Sequence, residues 1–391
     1  MIRSPPPWGW SRASIPATET DPVASLPSLS RRRLLKASLL GLAATGLPAS
    51  LWALDDDGRR QWYFSAVDDS DGGHHLAGLR RNGAGHFLLP SPERCHGGCL
   101  RPGRDEVVLF ARRPGQRFHV LDARRQASTL EISAGQGRHF YGHGVFDPSG
   151  RWLYVTANRI DDAMGLVQVH DAEQGYRHVG DHLLDGIGPH EVGLMPDGET
   201  LVVALGGIRT HPDSGRAKLN LSDMDPALLL LDRHSGEILE RHRPSHHQLS
   251  CRHLDIAPDG TVVAGYQFQG PEWETDHPLI ARRAPDGSFS EQVLPSPLQG
   301  SLAQYTASVA TSQVRPSAAI SAPRGNKVLV LGRNSGELLA QFDIEDAAGV
   351  RCDGAGGYLV TTGGGEVHRI DDGGRHHQLA ALPLRWDNHL T

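Results

Sequence analysis

Beyond residue 54 the apolar positions fall into short β-type runs broken by Pro, Asp and Gly, and the same arrangement returns roughly every 48 residues. Residues 142–150 (G-H-G-V-F-D-P-S-G) lead into W-L-Y-V-T at 152–156. Residues 189–198 (P-H-E-V-G-L-M-P-D-G) lead into L-V-V-A at 201–204, and 252–260 (R-H-L-D-I-A-P-D-G) lead into V-V-A at 262–264. Residues 95–103 (C-H-G-G-C-L-R-P-G) lead into V-V-L-F at 107–110. Pro presets φ at such a turn and Gly takes the positive φ, so each unit reads as strand, tight turn, strand. A third strand follows and ends in Asp122, Asp171 or Asp232.

Four strands in this period are one blade of a β-propeller, and weaker units beginning near Tyr305 and Gly349 bring the expected number of blades to seven. The two ends are complementary. Residues 385–391 read as an inner strand without partners, and residues 61–67 as a second strand without its first. The expected fold is therefore all-β, a seven-bladed β-propeller closed by the C-terminal strand completing the N-terminal blade, which leaves no open sheet edge at the seam. A two-domain β-sandwich protein is the competing architecture.

The repeat also fixes where histidines fall. His96, His143 and His190 are spaced 47 and 47 residues apart, and His253 follows after 63, the excess being a polar insertion over 209–226. With His389 brought in by closure, five of the 22 histidines begin inner strands of neighbouring blades. Their side chains are then expected at one mouth of the channel, where neutral imidazoles suit Zn, Cu, Fe or Ni. Glu191 offers a carboxylate beside His190, and Arg138 and Tyr141 are placed on the same rim as candidate cofactor contacts. His74, His75 and His246 are expected outside the ring. The same pattern also fits five structural histidines bonded to backbone in the blade turns. Cys95 and Cys99 could pair only across a tight loop, and Cys251 and Cys352 read as core. The C-H-G-G-C run is not a haem attachment site.

Composition changes the picture at the N-terminus. S-R-R-R-L-L-K at 30–36 follows the grammar of a twin-arginine export signal, and a Gly-containing apolar run over 37–54 comes next. Residues 1–53 are read as that signal with a disordered extension, cleaved after Ala53, and 54–391 as the propeller; an uncleaved anchor is the alternative. The whole chain carries −6, the first 53 residues +4, and the remainder −10, which argues against a nucleic-acid partner. No later segment is apolar enough to span a membrane. There is no G-x-S-x-G elbow, P-loop, H-E-x-x-H or dinucleotide fingerprint, so no familiar hydrolase or nucleotide chemistry is signalled.

The runs G-R-H-F-Y-G-H-G (137–144), G-I-G-P-H-E (186–191), G-G-I-R-T-H-P-D (206–213), R-H-L (252–254) and W-D-N-H-L (386–390) together resemble an exported bacterial family, domain-of-unknown-function family fifteen-thirteen. The resemblance implies a seven-bladed propeller of the YVTN/WD40-like class. It also implies a periplasmic context near imelysin-type iron-uptake proteins and haem-containing oxidoreductases, which would be the partners. Three functions fit. One is an accessory protein binding iron or copper through the histidine ring. The second is a metal-dependent oxidoreductase using the same ring. The third is a scaffold whose face binds other envelope proteins and whose histidines are structural.

Overall fold

Alternation of apolar and turn residues produces seven antiparallel sheets of four strands each. The computed structural model describes residues 62–391 except Pro114 and Arg216; the expected export signal and its cleavage point lie outside the described residues. Blades 2 to 7 cover residues 95–133, 138–187, 189–242, 249–292, 308–343 and 347–381. Blade 1 is built from both ends: Leu384–Trp386 is its inner strand, followed outward by Trp62–Asp69, His74–Arg80 and His86–Pro90. Val67, Asp68 and Asp69 pair with Trp386, Arg385 and Leu384. Beyond Trp386 the pairing continues irregularly, with Asp387 N–H donating to Ala66 O and Phe64 and Thr391 bonding each other in both directions.

The inner strands of blades 2 to 7 touch in succession, and blade 1 joins the ring through its second strand against blade 2 and its inner strand against the second strand of blade 7. The second strands, such as Thr200–Leu205 and Ser317–Ala322, are apolar or small at nearly every position and buried on both faces, because each sheet is sandwiched between its neighbours. Outer strands alternate or are exposed, as in Leu338–Asp343. The core is accordingly a set of inter-blade layers. One such layer carries Trp386 and Leu390 against Tyr63 and Val67 of blade 1 and Leu359 and Val367 of blade 7. The longest described helix, Ser296–Ser301, is one short turn between blades 5 and 6, and no described helix is long and apolar enough to cross a membrane.

Candidate metal centre

A recurring break in register turns the histidines inward. In blade 2 the inner strand slips between Cys95 and Gly98, in blade 3 between Phe140 and Gly144, in blade 4 between Pro189 and Glu191, and in blade 5 between Cys251 and His253. His96, His143 and His190 lie inside these bulges and His253 at the edge of one. In blade 1 the span from Ala66 to Phe64 is matched by the longer span from Asp387 to Thr391, and His389 sits in the excess. A bulge bends a strand and releases residues from the two-sided alternation, so a side chain can face the axis. The carbonyls it frees need donors. Thr156 Oγ1 donates to the carbonyls of both His143 and His190 at 3.2 Å, and Ser65 Oγ donates to His389 O at 2.6 Å.

Glycine permits the crowding. A Cβ on Gly97 would stand 2.6 Å from His143 Nδ1 and 2.7 Å from Gly142 O. Gly142 itself has φ +99° and faces His96.

The five imidazoles form one cluster. Ring centroids of His389 lie 4.5 Å from those of His96 and His143 and 4.8 Å from that of His253. His143 to His190 is 5.0 Å and His190 to His253 is 4.7 Å. All five are buried. Burial is the main cause that holds His143, His190, His253 and His389 well below the usual imidazole range, so they are neutral at pH 7. Four ring nitrogens are buried without any hydrogen-bond partner: Nε2 of His143, His253 and His389, and Nδ1 of His190. The Nε2 of His190 accepts from Arg252 at 2.7 Å.

Two carboxylates frame the cluster. Glu191 Oε2 is 3.3 Å from His253 Nδ1 and accepts from Leu254 N–H at 3.1 Å, while its Oε1 is 3.6 Å from His143 Nδ1. Burial pushes its carboxyl up to about 8. Asp387 accepts from His96 Nδ1, and from Arg94 Nε at 3.1 Å and Arg112 Nη1 at 3.0 Å. Burial alone would raise Asp387, but His96 and the two arginines outweigh it and keep the carboxylate ionised. His96 stays neutral because its own burial outweighs the attraction of Asp387. The proton therefore sits on Nδ1, leaving the Nε2 lone pair of His96 available.

Two donor sets meet the distance requirement of a metal ion: His143, Glu191, His253 and His389, and separately His96, His143 and His190, the atoms of each lying within 4.8 Å of one another. His143 is common to both. The cluster lies between two spaces. On one side is a cavity of about 320 Å³ lined by His143, Glu191, His389, Asp255 and Arg351. On the other is a void of about 20 Å³, room for one water, lined by His96, His190, His253, Arg252 and Tyr141.

Among the expected site residues, Arg138 is the exception. It is not on the rim: its guanidinium donates to Asp181 of the outermost strand of blade 3, with 2.7 Å and 3.0 Å contacts. It starts the inner strand before the bulge, opposite Arg159, so nothing turns it toward the axis. Tyr141 does reach the cluster wall, buried, with its hydroxyl near Thr210 of the insertion and Arg113 but outside hydrogen-bond geometry. His74 and His75 bond Asp68 and Asp69 on blade 1 and His246 precedes blade 5, all away from the cluster. All four cysteines are free thiols, so Cys95 and Cys99 do not pair; Cys251 is buried and Cys352 only partly so. Asp387, Arg112, Arg252 and Tyr305 escaped the sequence reading. The W-D-N-H run offered a signal for Asp387, and the neighbour of His253 one for Arg252.

The profile of a family described as "Protein of unknown function (DUF1513)" matches residues 89–391. A comparison with curated proteins gives no match. Among solved structures, a chain of Kuenenia stuttgartiensis hydrazine synthase superposes with a TM-score of 0.57 at 14% identity, over 85% of this chain and 98% of that one. At that identity the likeness is one of fold, which does not transfer activity.

Proposed function

The chain belongs to the DUF1513 family, and from that premise and the geometry of its channel we propose that the propeller binds one first-row transition-metal ion, iron or copper, as an exported accessory protein of metal acquisition or envelope redox chemistry. One observation carries the reading: the Nε2 atoms of His143, His253 and His389 are buried together with no hydrogen-bond partner. Unpaired buried acceptors and donors cost about 1–3 kcal/mol each, and a bound cation would offset that cost.

The donor chemistry points the same way. Neutral imidazoles with a single carboxylate disfavour Mg²⁺ and Ca²⁺, which take oxygen ligands, and suit Zn, Cu, Fe and Ni, of which iron and copper fit the proposed redox setting. His143, His253, His389 and Glu191 would hold the ion, and it would supply Lewis-acid or one-electron chemistry when bound. Glu191, buried among neutral rings, is protonated at pH 7 for want of a counter-charge; a cation at the site would displace that proton. His96, fixed by Asp387, lies on the opposite face.

The test is titration of metal-free protein with Cu(II), and with Fe(II) under anaerobic conditions, followed by removal of unbound ion. We expect one equivalent retained. His143→Ala, His253→Ala and His389→Ala should lose it without unfolding, and His74→Ala should keep it. Equal retention by wild type and all three variants would end the metal reading.

A further inference from the structure

A second chamber adjoins the histidine cluster through shared wall residues. Arg112, Tyr305 and Asn388 line both the small void against His96, His190 and His253 and a neighbouring cavity of about 430 Å³. Arg94, Arg324 and Arg385 line that cavity as well, against Asp68 and Asp346. A chamber of this size takes a small organic molecule.

Its charge is set from outside the chamber. Asp68 is already engaged by His74 at 2.7 Å and by Arg94 at 3.5 Å. Arg112 gives Nη1 to buried Asp387 at 3.0 Å, and no described group accepts from its Nε or Nη2. Arg324 stacks over the Tyr305 ring at 5.1 Å, and neither it nor Arg385 has a carboxylate partner among the described residues. Tyr305 is itself fixed, its hydroxyl accepting from Asn388 Nδ2 at 2.9 Å. The wall thus combines pre-positioned guanidinium groups with uncommitted ones, and a guanidinium fork matches a carboxylate in two parallel hydrogen bonds. The arginines come from four separate stretches of chain, so their charge is spread around the chamber instead of converging on one point. A compact oxyanion would meet only part of it, whereas a ligand with several carboxylates would span it.

We propose that this vestibule binds a small polycarboxylate on the His96 side of the histidine centre, across the cluster from the face that Glu191 lines. That ligand rests on the arginines alone and not on the metal-binding reading.

The experiment is calorimetric titration of metal-free protein with citrate at fixed ionic strength, with inorganic phosphate as the second arm. Wild type should bind one citrate saturably. Arg324→Gln combined with Arg385→Gln, both exposed positions outside the histidine cluster, should weaken citrate at least ~10-fold, about 1.4 kcal/mol, with melting temperature and metal content unchanged. Arg124→Gln, at a side chain 75% exposed on blade 2, should change nothing. Absence of saturable binding below about 10 mM, or a double variant that binds like wild type, would overturn the proposal. Phosphate binding as tightly as citrate would overturn its assignment to a polycarboxylate. The two readings fail separately: protein that binds citrate but no metal keeps the vestibule and ends the metal centre, and the reverse result does the opposite.

Discussion

Asp387 accepts hydrogen bonds from His96, Arg94 and Arg112, so one buried carboxylate fixes an imidazole tautomer and two guanidinium groups at once. Asp387→Asn should keep the shape and lose the orientation, because an amide can donate back to His96 and flip the tautomer. Because His96 is not among the ligands His143, Glu191, His253 and His389, we expect metal affinity to stay close to that of wild type, measured by competition with a chelator of known strength; a fall of about 10- to 100-fold, the usual cost of losing a ligand's support, would move the ion to the His96, His143 and His190 set. Residues of this kind were only half legible in sequence. The histidines announced themselves through their repeat position, whereas Asp387, Arg112 and Tyr305 come together only when distant turns meet at the axis. Arg138 misled for the same reason, since sequence adjacency to His143 says nothing about where a bulge begins. A second residue-scale prediction concerns His170, fully buried, its Nδ1 donating to Tyr176 O at 2.9 Å and its Nε2 lying 3.0 Å from Gln168 Oε1, and lowered to about 4 chiefly by burial. The folded protein keeps it neutral while the unfolded chain takes up a proton below about 6.5. Stability therefore falls as pH drops from about 6.5 toward 4 and levels off below that, a cost of at most about 3 kcal/mol. Urea melts at pH 7 and 4.5 should show His170→Gln losing about 2–3 kcal/mol less than wild type across that interval. Equal losses would show that His170 does not contribute.

At the scale of the strand, the periodicity of apolar runs gave the blades, their number and the seam, because turn residues and two-sided burial both write themselves into the chain. The bulges left no such mark. They are a property of the register between two strands, visible only as slips at Cys95/Gly98, Phe140/Gly144, Pro189/Glu191 and Cys251/His253. In retrospect Gly97 and Gly142 are their local signature, since a Cβ on Gly97 would meet His143 at 2.6 Å. Closure makes an element-scale prediction. Deleting residues 385–391 removes Trp386 and Leu390 from the layer between blades 7 and 1, worth about 2–3 kcal/mol each. The melting temperature should fall by roughly 6–9 °C, whereas His389→Ala, which spares the seam, should leave it within about 2 °C. A truncated chain that melts like the full one would show that the terminal strand does not lock the ring.

For the whole molecule, the ring arrangement is what makes four inner strands and the C-terminal segment deliver imidazoles to one place, with a 320 Å³ cavity on one side and an arginine-lined vestibule on the other. Metal loading before export would suit a twin-arginine leader, which passes folded proteins. Arg31→Lys with Arg32→Lys, and Arg33→Lys added to exclude substitution, should hold the protein in the cytoplasm, read by fractionation; unchanged appearance outside the cytoplasm would show that the run at 30–36 is not a twin-arginine signal. The central claim is that the histidine cluster holds a metal ion. Its most direct test is elemental analysis of the wild-type protein and His143→Ala, each purified without added metal from the compartment it reaches. The account predicts close to one iron or copper per wild-type chain and next to none in His143→Ala, which removes the ligand shared by both donor sets. Wild-type protein that carries no transition metal, or a variant that carries as much as wild type, would contradict it.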